Sequence, residues 1–465
     1  MRELSLTELI SRWLVWWRER GIPENALKTA QAYVLDWLGS ALAGSATDPG
    51  AKLIDYAQAQ PSGPASLVGL KMGRSPEVAA FVNGARSHIL EMDDLDRGSV
   101  VHPGTVVIPA ALATAEREQT NGRNFLSAVV AGYEVAIRVG EAVGKRHYYH
   151  FHNTGTCGVF GAAAATGWLL GLSEPQLVWA LGNAGTQAAG LWEFNTDGDM
   201  SKHLHAGRAA AVGLLAGDLA SRGFTGARKI LEGERGLFAA TAPDADPAAL
   251  SRGWSIDDPA SLFRISGVSI KPYSSCRHTH ATIDAVLSLR EQLAGSEIER
   301  VRVDVYQAAL DLCDNPNPET TYGAKFSLQY CVALALHRGR VNMTDFTPEA
   351  IADPELRPLL PRVALGVDPV FESRYPAEWP ARVRLSLADG RKLSACVIQP
   401  KGDPENPLTQ SELRGKFRNL ATYGGHSAVT EGLIQWVEGL GEDCPVQYES
   451  VPIDSNKKAG RVEAR

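Results

Sequence analysis

A chain of 465 residues with 44% hydrophobic and 21% charged residues has the length for two domains and the composition of an ordinary soluble protein. Its net charge of -7 disfavours nucleic acid as a partner, because phosphate binding needs a basic face. A small anionic substrate stays open, since a local cluster of Lys, Arg and His overrides a weak global field.

The elements follow in chain order. Leu9, Ile10, Trp13, Trp16 and Trp17 share one face of a helix in an N-terminal stretch too charged for a signal peptide. "ENALKTAQAYVLDWLGSALAG" carries helical spacing and ends in Gly. "TVVIPAALATAERE", "NFLSAVVAGYEVAIRVGEAVG", "EPQLVWALGNAGTQAAGL" and "GRAAAVGLLAGDLASRG" repeat the style, with small residues that let helix axes approach closely. The uncharged run "GTCGVFGAAAATGWLLGLS" approaches the length of a membrane span. It is rich in Gly and Ala and has no comparable second span, so it reads as a buried central helix.

Near residue 262 the texture changes. "LFRISGVSIKPY" reads as extended, "ERVRVDVY" alternates as a strand, and "PARVRLSLADGRKLSACVIQP" reads as a hairpin around Asp389-Gly390. Helices are expected at "HATIDAVLSLREQLAG" and "SLQYCVALALHRG", and again after residue 405 at "SELRGKFRNLA" and "SAVTEGLIQWVEGLGE". The polar tail "DSNKKAGRVEAR" is expected to fray. The fold class is therefore mainly α: a large all-helical domain, residues 1–264 plus 401–465, with an inserted smaller α+β domain, residues 265–400.

Cys157, Cys276, Cys313, Cys331, Cys396 and Cys444 form no C-x-x-C pair, which argues against a zinc site or disulfide scaffold and for a reducing, cytoplasmic setting. Four stretches concentrate titratable residues near Gly or Pro. The first is "EMDDLDRGSVVHPG", with Glu91, Asp93, Asp94, Asp96, Arg97 and His102, and with His88 just upstream. "HYYHFHNTGTCG" brings His147, His150 and His152. "NTDGDMSKHLHAGRAA" brings Asp197, Asp199, Lys202, His203, His205 and Arg208. "SIKPYSSCRHTHATIDA" brings Lys271, Arg277, His278 and His280.

Three H-x-H pairs would point together on a strand and bind zinc, but each sits at a loop-to-helix junction, where residues two apart diverge. "DDLD" also resembles the magnesium motif of terpenoid synthases, whose second motif is not evident. No metal is expected. Acids at a helix start complement the helix dipole, the better reading for Asp96. For Asp93 and Asp94 that reading competes with a functional one. His102, in a turn ahead of a helix, has a structural reading too, and Lys202 and Lys271 would ordinarily be solvated.

"ILEMDDLDRGSVVHPGTVVIPAALATAE", "EFNTDGDMSKHLHAGRAA" and "KPYSSCRHTHATIDA" resemble, in order, the signature segments of the MmgE/PrpD family. That family includes 2-methylcitrate dehydratase, cis-aconitate decarboxylase and iminodisuccinate epimerase. The resemblance implies a helical domain, an α+β lid, an active site in the cleft between them, and a homodimer needing neither metal nor organic cofactor. By the same resemblance, His102 matches the histidine implicated in proton transfer and Asp93 and Asp94 the D-D pair before it. His152 matches a histidine opening the glycine-rich helix. Lys202 and His205 match residues of the lysine and H-x-G segment, and Lys271 the lysine opening K-P-Y. The chain departs from the family in having Glu91 where Asp is common, and Leu312 near the place of a tyrosine in the decarboxylases. The interval between the D-D pair and His102 is also one residue longer than in those enzymes.

The reactions of this family share proton movement at a carbon next to a carboxylate, which needs a positioned base and cations to stabilise the developing charge. His102 is the expected acid/base, oriented by Asp93 or Asp94, with His152 as a second catalytic group. Lys202, His205, Arg208, Lys271 and Arg277 are expected to hold substrate carboxylates. The expected activity is that of a hydro-lyase on a small di- or tricarboxylate, with no membrane and no nucleic acid as partner. The alternatives are an epimerase of an iminodisuccinate-like dicarboxylate and a decarboxylase of a cis-aconitate-like substrate.

Overall fold

Local signals set the element boundaries. Helix Leu6–Arg20 opens on a capping box between Ser5 and Glu8 and buries Ile10, Trp13, Leu14 and Trp17. Helix Glu24–Gly44 buries nearly all of its second half. The computed structural model describes residues 4–254, 263–442 and 445–448. Leu262, Cys444 and the tail "DSNKKAGRVEAR" lie outside the described residues.

The fold is mainly α with a smaller α+β part. Its first apolar core is built around helix Gly158–Leu169, buried along its whole length. Helices Gly104–Arg117, Gly122–His150 and Ser201–Ser221 pack against it. Small residues make this possible. A Cβ on Gly132 would lie 2.8 Å from the Gly161 carbonyl oxygen, and one on Gly161 would lie 2.5 Å from that of Gly132. The two backbones therefore touch, which only glycine at both positions permits. The uncharged stretch is thus a buried central helix, and among the described residues no helix is long and apolar enough to cross a membrane. Helices Gln410–Tyr423 and Thr430–Gly439 return to pack on Glu24–Gly44.

A second core lies between helices His280–Arg290 and Leu328–Arg338 and a four-stranded sheet. The strand order is Val363–Val367, Ile298–Val305, Ala381–Leu387, Lys392–Val397. The first pair is parallel and the other two antiparallel. The hairpin closes at Asp389-Gly390, where Gly390 takes φ 86. Of the stretch read as extended at 262–273, Arg264–Gly267 forms a 3-10 turn and only Val268–Ser269 lies in a strand. That strand pairs antiparallel with Leu95–Asp96. Leu95 and Val100 belong to the second core while Val101 belongs to the first, so residues 95 to 101 run between the two.

Candidate active site

Six segments bring their polar side chains to one buried place. His88 caps the end of helix Pro76–Ser87, and Glu91 and Asp93 follow in the connecting loop. His102 sits two residues before helix Gly104–Arg117. His152 is the N-cap of the short helix Asn153–Thr156, and Lys202, His203 and His205 lie on helix Ser201–Ser221. Lys271 follows strand Val268–Ser269, and Lys325 ends helix Thr321–Lys325. All except His205, which is half-buried, are at most 8% exposed.

Asp93 organises the centre. Its Oδ2 accepts from His88 Nδ1 at 2.7 Å and lies 2.8 Å from His102 Nδ1, the latter contact being less well aligned. Burial pushes this carboxyl up, but the facing imidazoles of His88 and His102 and the Lys271 ammonium outweigh burial and hold it well below the usual range. Burial lowers His102 to about 4, with Asp93 opposing the shift, so the imidazole is neutral at pH 7. With Nδ1 turned to Asp93, Nε2 carries the lone pair on the side away from the carboxylate. The main chain of His102 is fixed separately, its N–H donating to Thr154 Oγ1 at 3.1 Å.

The other imidazoles crowd the same space. His88 stacks on His152 with ring centroids 5.3 Å apart, and His102 meets His152 edge-on at 6.4 Å. His152 Nδ1 lies 3.3 Å from His205 Nδ1. Burial lowers His205 to about 4 and His203 to about 3, and takes His152 well below its ordinary value. Among the described residues, five buried polar atoms here have no well-aligned hydrogen-bond partner: His88 Nε2, Asp93 Oδ1, His102 Nδ1, His152 Nε2 and His203 Nδ1. Such atoms are rare in folded proteins, and several in one cluster mark a place prepared for a polar ligand.

Glu91 binds two lysines, accepting from Lys202 Nζ and, at 3.0 Å, from Lys271 Nζ. Burial pushes its carboxyl up, yet the two ammonium groups bring it well below the usual range. Lys202 also lies over the Phe326 ring at 4.9 Å. Trp192 and Phe194 cover the cluster from outside, with ring centroids 4.9 Å from His152 and 5.4 Å from His205 respectively. A cavity of about 740 Å³ bounded by Trp192, Asn153, Tyr148 and Leu312 lies beyond this cover. A smaller one of about 360 Å³, bounded by Phe326 and Tyr322, adjoins it. They share Asn195, Thr196, Asp311 and Leu312, so the two form one cleft edged by aromatic side chains.

Several expected residues act elsewhere. Asp94 does not turn to His102. Its Oδ1 accepts from the Gly104 N–H at 3.0 Å and its Oδ2 from the Tyr133 hydroxyl at 2.6 Å, anchoring the start of the helix. Burial raises this carboxyl to about 8. Asp96 is no solvated helix-end acid: it is buried and accepts from the N–H and hydroxyl of Ser99 in a local turn. Arg208 is exposed, since six residues along the helix turn its side chain about 120° away from buried Lys202. Arg277 is buried but committed to Asp403, which also takes Arg97 and Ser269. A fully buried carboxylate needs those donors. His150 is exposed, His278 stacks on Trp379 at 4.1 Å, and His280 binds Arg277, so those members of the H-x-H pairs stay outside the cluster. Lys325 was not singled out by the sequence, which named His203 and His88 without giving either a role.

His88, Asp93 and His102 could offer a metal three ligand atoms within 4.8 Å of one another. A divalent cation there would have to displace both imidazole contacts to Asp93 and face the Lys271 ammonium, 3.9 Å from Asp93 Oδ1.

Residues 8–250 match the MmgE/PrpD N-terminal domain, and residues 273–437 match the MmgE/PrpD C-terminal domain. The chain belongs to the MmgE/PrpD family. Among relatives, it is 27% identical to a cis-aconitate decarboxylase of Mus musculus over 478 residues, covering 95% of this chain and 92% of that enzyme. It is 24% identical to a mitochondrial 2-methylcitrate dehydratase of Yarrowia lipolytica over 228 residues, 46% of this chain and 42% of the relative. A 2-methylcitrate dehydratase of Salmonella typhimurium matches at 26% over 104 residues, 21% of this chain and 22% of the relative. MmgE/PrpD members are thus enzymes of more than one reaction, and in this member the boundary between the two matched regions falls between residues 250 and 273.

Proposed function

We propose that this MmgE/PrpD protein is a cofactor-independent lyase of the hydro-lyase type. It removes a proton next to a carboxylate in a small di- or tricarboxylate such as 2-methylcitrate. The observation that carries this reading is His102, a neutral imidazole held through Nδ1 by ionised Asp93, in a cluster with unpartnered polar atoms and buried ammonium groups. Nε2 takes the proton, Asp93 supports the imidazolium that forms, and the lysines stabilise the enediolate-like charge. The His152–His205 pair supplies a proton to the departing hydroxyl. A homodimer and a cytoplasmic setting belong to the same proposal, and sedimentation of the purified chain tests the first.

Decarboxylation is the second reading, favoured by the full-length likeness to a cis-aconitate decarboxylase. In it the imidazolium of His102 would protonate the carbon that loses carbon dioxide. Proton NMR in deuterated water separates the readings, using the chelator-treated protein with 2-methylcitrate, cis-aconitate and iminodisuccinate. A new olefin by loss of water supports the hydro-lyase, and loss of carbon dioxide supports the second reading. Inversion with deuterium uptake and no olefin would make the protein an epimerase. Activity lost on chelation and restored by a metal would contradict cofactor independence.

The pH profile offers a further check. Since the base must be neutral, kcat/KM is expected to hold down to about pH 5 and fall as pH drops through about 4, the value of His102 in the free enzyme. An acid limb near the ordinary histidine value would contradict this assignment. Lys271→Ala removes one of the two partners of a buried carboxylate, and a loss of stability of about 3–5 kcal/mol is expected. Urea denaturation reads it, and an unchanged midpoint would mean that Glu91 is satisfied by Lys202 alone.

A further inference from the structure

Lys202, Lys271 and Lys325 meet Glu91 and Asp93 in the cluster, each at most 2% exposed. The three lysines are not equivalent. Glu91 gives one carboxylate oxygen to Lys202 and the other to Lys271, so both ammonium groups are already paired within the protein. Among the described residues, Lys325 Nζ finds only the Ile89 carbonyl at 3.5 Å and the face of Phe346 at 6.0 Å. Glu91 is held in the left-handed backbone region at φ 57, a conformation unfavourable for a residue with a side chain by roughly 1 kcal/mol. Its two buried ion pairs keep it there.

Charge balance then limits what can enter. Three lysines against two carboxylates leave one positive charge at this depth. An unpaired charge in a buried site is strongly disfavoured, so one incoming carboxylate is matched and a second or third is not. We propose that Glu91 is a specificity-determining residue: by occupying Lys202 and Lys271 it restricts the buried site to one substrate carboxylate, received by Lys325. The preferred substrates are then dicarboxylates, with one carboxylate buried and the other toward the cleft, rather than tricarboxylates. This rests on the proton-transfer reading above and narrows its substrate class to the dicarboxylates, setting aside tricarboxylates such as 2-methylcitrate.

The titration of Lys325 agrees with the geometry. Burial lowers it to about 7, with Glu91 and Asp93 opposing and Lys271 and Lys202 adding to the shift. A bound carboxylate restores the charge, so binding above pH 7 draws in a proton.

Calorimetric titration of the full chain with succinate and with tricarballylate tests this, since neither probe needs to react. Succinate is expected to bind at least 10-fold more tightly in the wild type, with proton uptake at pH 8 visible as a dependence on buffer ionisation heat. Glu91→Gln frees both ammonium groups and is expected to shift the ratio at least 10-fold toward tricarballylate. Should that variant fail to fold, Lys325→Met decides, and is expected to lose at least 10-fold in succinate affinity with its circular dichroism unchanged. Tricarballylate binding as tightly as succinate to the wild type, no binding of either, an unchanged ratio in folded Glu91→Gln, or full succinate affinity in Lys325→Met would overturn the proposal. Because binding is read without turnover, failure of deuterium exchange with every substrate would sink the proton-transfer reading while these ratios stand or fall separately.

Discussion

His102→Ala is expected to lower kcat by about 10²- to 10⁴-fold, the range for loss of a positioned acid/base group. The fold should survive. The main-chain N–H of residue 102 keeps its bond to Thr154 Oγ1, and Asp93 keeps His88 and the nearby Lys271. The side chain is buried but belongs to neither apolar core, so its removal opens space without undoing either. Steady-state kinetics beside circular dichroism checks the prediction. Near wild-type turnover in folded protein would remove His102 from the chemistry. A matching loss of structure would reduce it to a packing residue.

Asp93→Asn carries the second large effect. The carboxylate oxygen Oδ2 faces Nδ1 of two imidazoles at once, and only an acceptor suits both. An asparagine has nearly the same shape without the charge, and where its amide nitrogen rather than its oxygen takes the Oδ2 position both imidazoles meet N–H donors and shift their protons to Nε2. On His102 that fills the lone pair which the proposed reaction uses. It also removes the negative charge that supports the imidazolium. A drop of about 10²- to 10⁴-fold in kcat/KM is expected, comparable with the loss when the orienting carboxylate of a catalytic triad is made an amide. Asp94→Asn should behave differently, because Asp94 serves Gly104 and Tyr133 rather than His102. Equal losses in the two variants would contradict the division of labour between these neighbouring acids.

The helices and the hairpin were legible because their signals are local. The apolar spacing of Ile10, Trp13 and Trp17 and the Asp389-Gly390 turn act within a few residues, and the structure shows both. Residue roles depend on partners far along the chain, which no spacing reveals. Arg277 is claimed by Asp403, 126 residues away, and Lys271 by Glu91, 180 residues away. Lys325 stands alone among apolar neighbours in "GAKFSLQY", where the ordinary reading of a lysine is a solvated one. Asp96 departs from its expected role for a different reason. Its partner Ser99 is local, but a turn closed by a side chain and a dipole-compatible acid at a helix start look alike in sequence. The adjacent Asp93 and Asp94 take different partners, His88 and His102 for one and Gly104 and Tyr133 for the other, a distinction that the repeated letter hides.

The central claim is that His102 exchanges a proton with the carbon next to a substrate carboxylate. Its most direct test is deuterium incorporation at that carbon in deuterated water, followed by NMR for the chelator-treated wild type and for folded His102→Ala. We expect incorporation by the wild type and its loss in the variant. Incorporation by the variant at the wild-type rate would contradict the account.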